Sequence, residues 1–297
     1  FMTVSLEGKS AIVTGAAVGI GNAFARALAI QGVNLSICDI RGDDLQEIAE
    51  TLDQIGIEVE STLADVSVPA DVRGVVDKHI SRFGGIDLLV SNAGTWAQSE
   101  ATDDLDKSDA DWDKVVGTNF AGVFLFGRAV IPHMIAHGGG NIVNIATDHF
   151  CTCGSPNVWN HDDAPDCPHG INPPRPVGGG SIMDLYDAGK SAINGLTLSW
   201  AKALHEQNIR VNAFCMGATD SHMLRGFNNF DPDPAEEAKL LEEFGWMKAE
   251  DIADCLVELV KEGEEGRSGE NIGFALGHPV RLPKRQPIPT FMYEPLS

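Results

Sequence analysis

Tyr186 and Lys190 stand four positions apart in the segment YDAGK, a spacing that puts a phenol and an ammonium on one side of a helix, a turn apart. There the cation favours the phenolate, and the pair becomes a proton-transfer device. A phenol titrates near ~10, so a base working near neutral pH needs roughly 4 kcal/mol of differential stabilisation, more than one lysine ordinarily supplies. A second positive charge, such as an oxidised nicotinamide ring, would supply much of the rest. The pair therefore points to a redox dinucleotide bound beside Tyr186 and Lys190.

The N-terminal segment TGAAVGIG provides a place for it. Ser10 to Thr14 reads as a buried strand, Gly15, Val18, Gly19 and Ile20 form a turn, and Ile20 to Gln31 follows as an apolar-periodic helix ended by Gly32. Glycines let backbone approach a pyrophosphate, and the positive end of the helix holds its charge. Val33 to Cys38 then form a second strand that ends on Asp39, at the distance expected of a ribose-binding carboxylate. Asp39 would accept the 2'-hydroxyl of NAD and repel a 2'-phosphate; its alternative is a turn or cap residue. No basic residue lies between Gly15 and Gly21, although Arg41 leaves NADP open.

Taken together with Asp65-Val66, Asn92-Ala93-Gly94, Asn119, the strand ending at Thr147 and the segment from Ile209 to Gly217, these motifs resemble the short-chain dehydrogenase/reductase family over essentially the whole chain. The resemblance implies that Asp65 and Val66 contact adenine, that Asn92, Ala93 and Gly94 support the cofactor pocket, and that Lys190 also binds the nicotinamide ribose. It further implies that Asn119 holds a water in a proton relay and that backbone near Gly217 and Thr219 binds the carboxamide. The chain departs from the family pattern in three places: Thr147 where a serine is usual, Met216-Gly217 for Pro-Gly, and Gly189 for the serine before the lysine. A threonine hydroxyl still hydrogen-bonds a substrate oxygen, while its methyl group narrows the pocket.

The largest departure is the stretch 148–185 between Thr147 and Tyr186, much longer than ordinary members carry. Rich in Pro, Gly, Asp and Asn, it reads as an irregular loop inserted over the active site and is expected to act as a substrate lid. Cys151, Cys153, Cys167 and His169 within it are metal-capable, but their spacing is not that of an ordinary zinc site; solvated or partly buried side chains are the alternative, and no metal is expected.

Strand candidates at 10–15, 33–39, 58–64, 86–92, 141–146, 209–215 and 270–276 alternate with helical patterns, which implies a doubly wound parallel α/β sheet in a single domain spanning 1–297, with a proline-rich tail at 278–297. The tail either crosses to a neighbouring subunit or lies on the surface. The 297 residues carry a net charge of -22, which argues against nucleic-acid and anionic-membrane partners. The six cysteines lack a disulfide-scaffold pattern, and with no membrane-spanning or signal segment evident the expected location is cytoplasmic; Phe1 ahead of Met2 reads as an expression remnant. The helices near 112–136 and 185–206 correspond to those that pair subunits in the family, implying a homodimer or homotetramer.

The expected activity is hydride transfer between NAD and a secondary alcohol or ketone, with Tyr186 as base, Lys190 assisting it, Thr147 orienting the oxygen and Asn119 linking the site to water. Trp96, His149, Phe150, Met216 and Met223 are the candidate lining of an apolar pocket, favouring a cyclic or aromatic substrate, with a hydrophilic sugar or polyol as the alternative. Two alternatives stay open: an enzyme of the same fold that uses NAD without net redox, as an epimerase does, and a non-catalytic nucleotide-binding regulator.

Overall fold

A computed structural model describes residues 3–150, 182–274 and 280–283. Seven parallel strands form one sheet: β1 (Ser10–Thr14), β2 (Asn34–Asp39), β3 (Val59–Leu63), β4 (Leu88–Ser91), β5 (Gly140–Thr147), β6 (Ile209–Met216) and β7 (Asn271–Phe274). They lie in the order β3-β2-β1-β4-β5-β6-β7. All seven expected strands are present, each within a few residues of its expected ends. Continuous apolar runs such as SAIVT are buried on both sides, as parallel strands covered by helices must be.

The helices divide between the two faces. On one side α1 (Gly19–Ile30), α2 (Gly42–Asp53) and α9 (Ala249–Val260) bury Phe24, Leu28, Ile48 and Leu256 against Val13, Leu35 and Phe214. On the other, α3 (Pro69–Phe83), α5 (Gly122–His137) and α6 (Asp184–Leu204) bury Val76, Phe126, Val130 and Leu204 against Ile12, Leu89 and Val211. Three shorter helices complete the set: α4 (Leu105–Asp111), α7 (His222–Phe227) and α8 (Pro234–Phe244).

From β1 the chain winds outward through β2 and β3, then returns to place β4 on the other side of β1. This reversal opens a crevice beyond the carboxyl ends of β1 and β4, where ligands bind in sheets of this kind. Gly15, Asp39, Asn92, Thr147 and Gly217 all stand at or just beyond the carboxyl ends of their strands.

A feature not legible in the sequence is a π-helical stretch, Trp112–Ala121, joining α4 to α5 and carrying Asn119. Wide turns of this type recur at functional sites. The helical run Leu105–His137 is long and apolar enough to cross a membrane, but Val115, Val116, Phe126, Val130 and Met134 from it are buried within the fold. The inserted stretch beyond Phe150, with Cys151, Cys153, Cys167 and His169, and most of the tail 278–297 lie outside the described residues.

Candidate active site

The glycine turn is shaped by its neighbours. Asn92 stitches it to β4: its amide nitrogen donates to the carbonyls of Thr14 and Gly15, each at 3.0 Å, while Thr14 Oγ1 accepts from the backbone of Asn92 and Ala93. A side chain on Gly15 would put its Cβ 2.7 Å from Ala93 Cα, and one on Gly21 would collide with the Gly15 carbonyl. Only hydrogens fit there. No side chain caps α1, and its first turn lacks the acidic residues that α2, α3 and α9 carry in theirs, so its positive end is left for an anion. Asp39, buried at the end of β2, accepts from the backbone of Ala17 at 3.1 Å and of Arg41 at 3.1 Å. A cradle bare of side chains, an uncapped helix start and a carboxylate at the far end fit a dinucleotide.

The proton-transfer candidates meet at the other end of the crevice. Lys190 is almost fully buried and its Nζ donates to the carbonyl of Ile145 at 2.7 Å. That ammonium also lies beside Gly94 and 5.9 Å from the centre of the Tyr186 ring. Asn119, fully buried, accepts from the backbone of Thr95 at 2.8 Å and donates back to its carbonyl at 2.9 Å. The amide thus braces the loop after β4, and a relay water would have to share it. Thr147, at the end of β5, is buried opposite Met216.

Burial sets the electrostatics of the pair. The Tyr186 phenol is pushed above its ordinary range, by burial first and then by the carboxylates of Asp187 and Asp148. Burial also brings the Lys190 ammonium down to about 8, so it is a weakened ally. The lysine alone does not turn the phenol into a base here; additional positive charge in the crevice is required.

Comparison with known proteins decides the family. A short chain dehydrogenase family model matches residues 9–151, and an Enoyl-(Acyl carrier protein) reductase model matches 177–277. The chain is 30% identical over 272 residues to 2-dehydro-3-deoxy-D-gluconate 5-dehydrogenase of Escherichia coli, covering 90% of this chain and 94% of that one. This chain belongs to the short-chain dehydrogenase/reductase family. It is an oxidoreductase of that family, whose members bind a nicotinamide cofactor. A 3-oxoacyl-[acyl-carrier-protein] reductase of Thermotoga maritima is 29% identical over 273 residues, covering 91% of this chain and 97% of the relative. Among solved structures, 7α-hydroxysteroid dehydrogenase complexed with NADH and 7-oxo glycochenodeoxycholic acid superposes with a TM-score of 0.72 at 25% identity, covering 94% of this chain and 97% of that one.

Several positions carried over from the short-chain dehydrogenase pattern have partners within the chain. Asp65 accepts from the Ser67 backbone at 2.8 Å and hydroxyl at 2.6 Å, and the Val66 side chain packs under Gly122. Gly217 lies against the Asp148 carboxylate, and buried Thr219 donates to the Gly217 carbonyl at 3.1 Å. Met216, at the end of β6, packs with Val143 and Phe274 in a core cluster. Met223 is half-buried on α7, and the Phe150 side chain lies outside the described residues. Trp96 stands edge-on to Phe227 at the end of α7, with ring centres 4.7 Å apart. Gly189 is spacious: a Cβ there would lie 3.8 Å from Asn119 Cβ, ordinary contact.

One pairing escaped the sequence. His149, in the turn directly after β5, holds Asp187 on the first turn of α6 at 2.5 Å, and its ring lies 6.3 Å from that of Tyr186. The signal was adjacency: His149 is two residues past Thr147, and Asp187 follows Tyr186.

Proposed function

We propose that this enzyme is an NAD-dependent dehydrogenase/reductase acting on a hydrophobic, cyclic or aromatic, secondary alcohol or ketone. The observation that carries it is the convergence of Tyr186, Lys190, Asn119 and Gly94 at one end of a crevice whose other end is closed by Asp39. When bound, the dinucleotide supplies the hydride donor or acceptor, held by Gly15, Val18, Gly19, Ile20, Asp39, Asn92, Ala93, Gly94, Lys190 and the Gly217–Thr219 backbone. Tyr186 takes the carbinol proton in the oxidative direction and returns it in the reductive one. Thr147 hydrogen-bonds the reacting oxygen, Lys190 keeps positive charge near the phenol, and Asn119 holds the loop that shapes the site.

The choice of NAD is supported by Asp39 and by the commitments of Arg41, which donates to Asp44 at 3.3 Å and to His222 Nε2 at 2.6 Å. A guanidinium so engaged is not waiting for a 2'-phosphate. The related structure with NADH and a steroid substrate supports both cofactor and substrate class, as does the Trp96–Phe227 wall. Exposed Phe124 and Ile135 on α5 and Leu198 on α6 support subunit pairing through these helices. A panel of cyclic and aromatic secondary alcohols, followed by absorbance of the reduced nicotinamide with NAD and with NADP, tests the proposal. Turnover at least tenfold better with NAD is expected; no reduced cofactor from any alcohol, or a preference for NADP, would contradict it.

A further inference from the structure

His149 and Asp187 take no part in the proton transfer assigned to Tyr186 and Lys190, yet they extend the same two elements. His149 lies just beyond the strand that ends in Thr147, and Asp187 is the residue after Tyr186 on α6. The register that brings the hydroxyl and phenol together therefore also joins the imidazole to the carboxylate, at 2.5 Å.

An ionised carboxylate only accepts, so His149 Nδ1 must carry the hydrogen. Nε2 is then the edge that faces elsewhere, an acceptor in the neutral ring and a donor in the protonated one. His79 shows what a purely structural histidine looks like in this fold. It is fully buried and has Ser36 Oγ, Ser10 Oγ and the Gly85 carbonyl around it. His149 differs, with its side chain 26% accessible and Asp187 23% accessible, beside the Tyr186 ring. It is a polar edge, held by Asp187 beside the Tyr186 ring.

We propose that His149 is a specificity-determining residue that binds a second oxygen of the substrate, and that Asp187 positions it. The inference rests on the dehydrogenase reading above and narrows its substrate class to molecules with an apolar body and a second hydroxyl or keto group adjacent or nearly adjacent to the reacting carbinol. Ring centres 6.3 Å apart suit two oxygens separated by a few bonds, one held by the phenol and one by the imidazole. Because the second oxygen does not react, its bond to His149 is equally strong before and during reaction, and its loss raises KM with little change in kcat.

The test compares vicinal cyclohexanediol with cyclohexanol in the wild type, His149→Gln and Asp187→Asn. The ratio of kcat/KM for diol over mono-alcohol should fall about tenfold or more in His149→Gln and in the same direction in Asp187→Asn, chiefly through KM. A ratio unchanged within about twofold in both variants would overturn the proposal, whatever happens to overall activity. Should the wild type oxidise neither alcohol with either cofactor, the dehydrogenase reading fails on its own account. The contact is then read by NMR in the presence of NAD, using the His149 Cε1 proton assigned by its loss in His149→Gln. Movement of that resonance with diol and not with cyclohexanol supports the site; a resonance unmoved up to the solubility of the diol refutes it.

Discussion

Lys190→Met should stabilise the cofactor-free protein while removing its activity. The ammonium of this α6 residue is buried against β5, and that burial brings its titration from 10.5 down to about 8. At 1.36 kcal/mol for each tenfold change, holding the proton at pH 7 costs the fold about 3 kcal/mol. Methionine fills a similar volume without charge but gives up the hydrogen bond to Ile145, about 1 kcal/mol. The net expectation is a gain of about 2 kcal/mol at pH 7. The sign follows from linkage: the folded state binds this proton less well than the unfolded chain, so the penalty is full below pH 8 and fades as pH rises towards 10.5, where both states are neutral. Urea unfolding of both proteins at neutral and alkaline pH measures this. A variant less stable than wild type at pH 7, or an advantage that does not shrink with rising pH, would refute the reasoning.

Other substitutions probe the cradle and the core. Gly21→Ala places a methyl group against the Gly15 carbonyl and the Asn92 amide, so NADH affinity by fluorescence titration should fall tenfold or more with the fold retained by circular dichroism; unchanged affinity would contradict it. Gly189→Ala has room for its methyl in a helix interior and should raise stability by about 0.5–1 kcal/mol, whereas a loss would show that the site is tighter than its geometry. His79 is buried neutral, with its titration lowered to about 4, so its contribution is complete above the ordinary value of 6.5 and is lost as pH falls towards 4. Between pH 7 and 5 the wild type should lose about 2 kcal/mol more than His79→Gln in urea unfolding, and equal losses would contradict it.

Much of this fold could be read from the chain because its determinants are local. Runs such as SAIVT and NLSICD need burial on both faces, and the glycines at 15, 19 and 21 need a tight turn whatever surrounds them. Tyr186 and Lys190 share a helix, so their proximity follows from spacing alone. What escaped depends on packing between distant elements. The π-helical stretch around Asn119, the seating of Met216 in the core and the contact of His149 with Asp187 are set by how β5, β6, α5 and α6 meet. The direction in which Tyr186 titrates also escaped, because spacing reveals the neighbouring lysine but neither the depth of burial nor the carboxylates of Asp148 and Asp187.

The central claim is that the Tyr186 hydroxyl carries the proton of a reaction whose electrons pass to a nicotinamide. Steady-state formation of NADH from a secondary alcohol, measured for the wild type and Tyr186→Phe alongside NAD affinity, tests it most directly. Turnover in the wild type, a loss of about a thousandfold or more in the variant and nearly unchanged NAD binding are expected. Turnover surviving in Tyr186→Phe with NAD still bound would contradict the account.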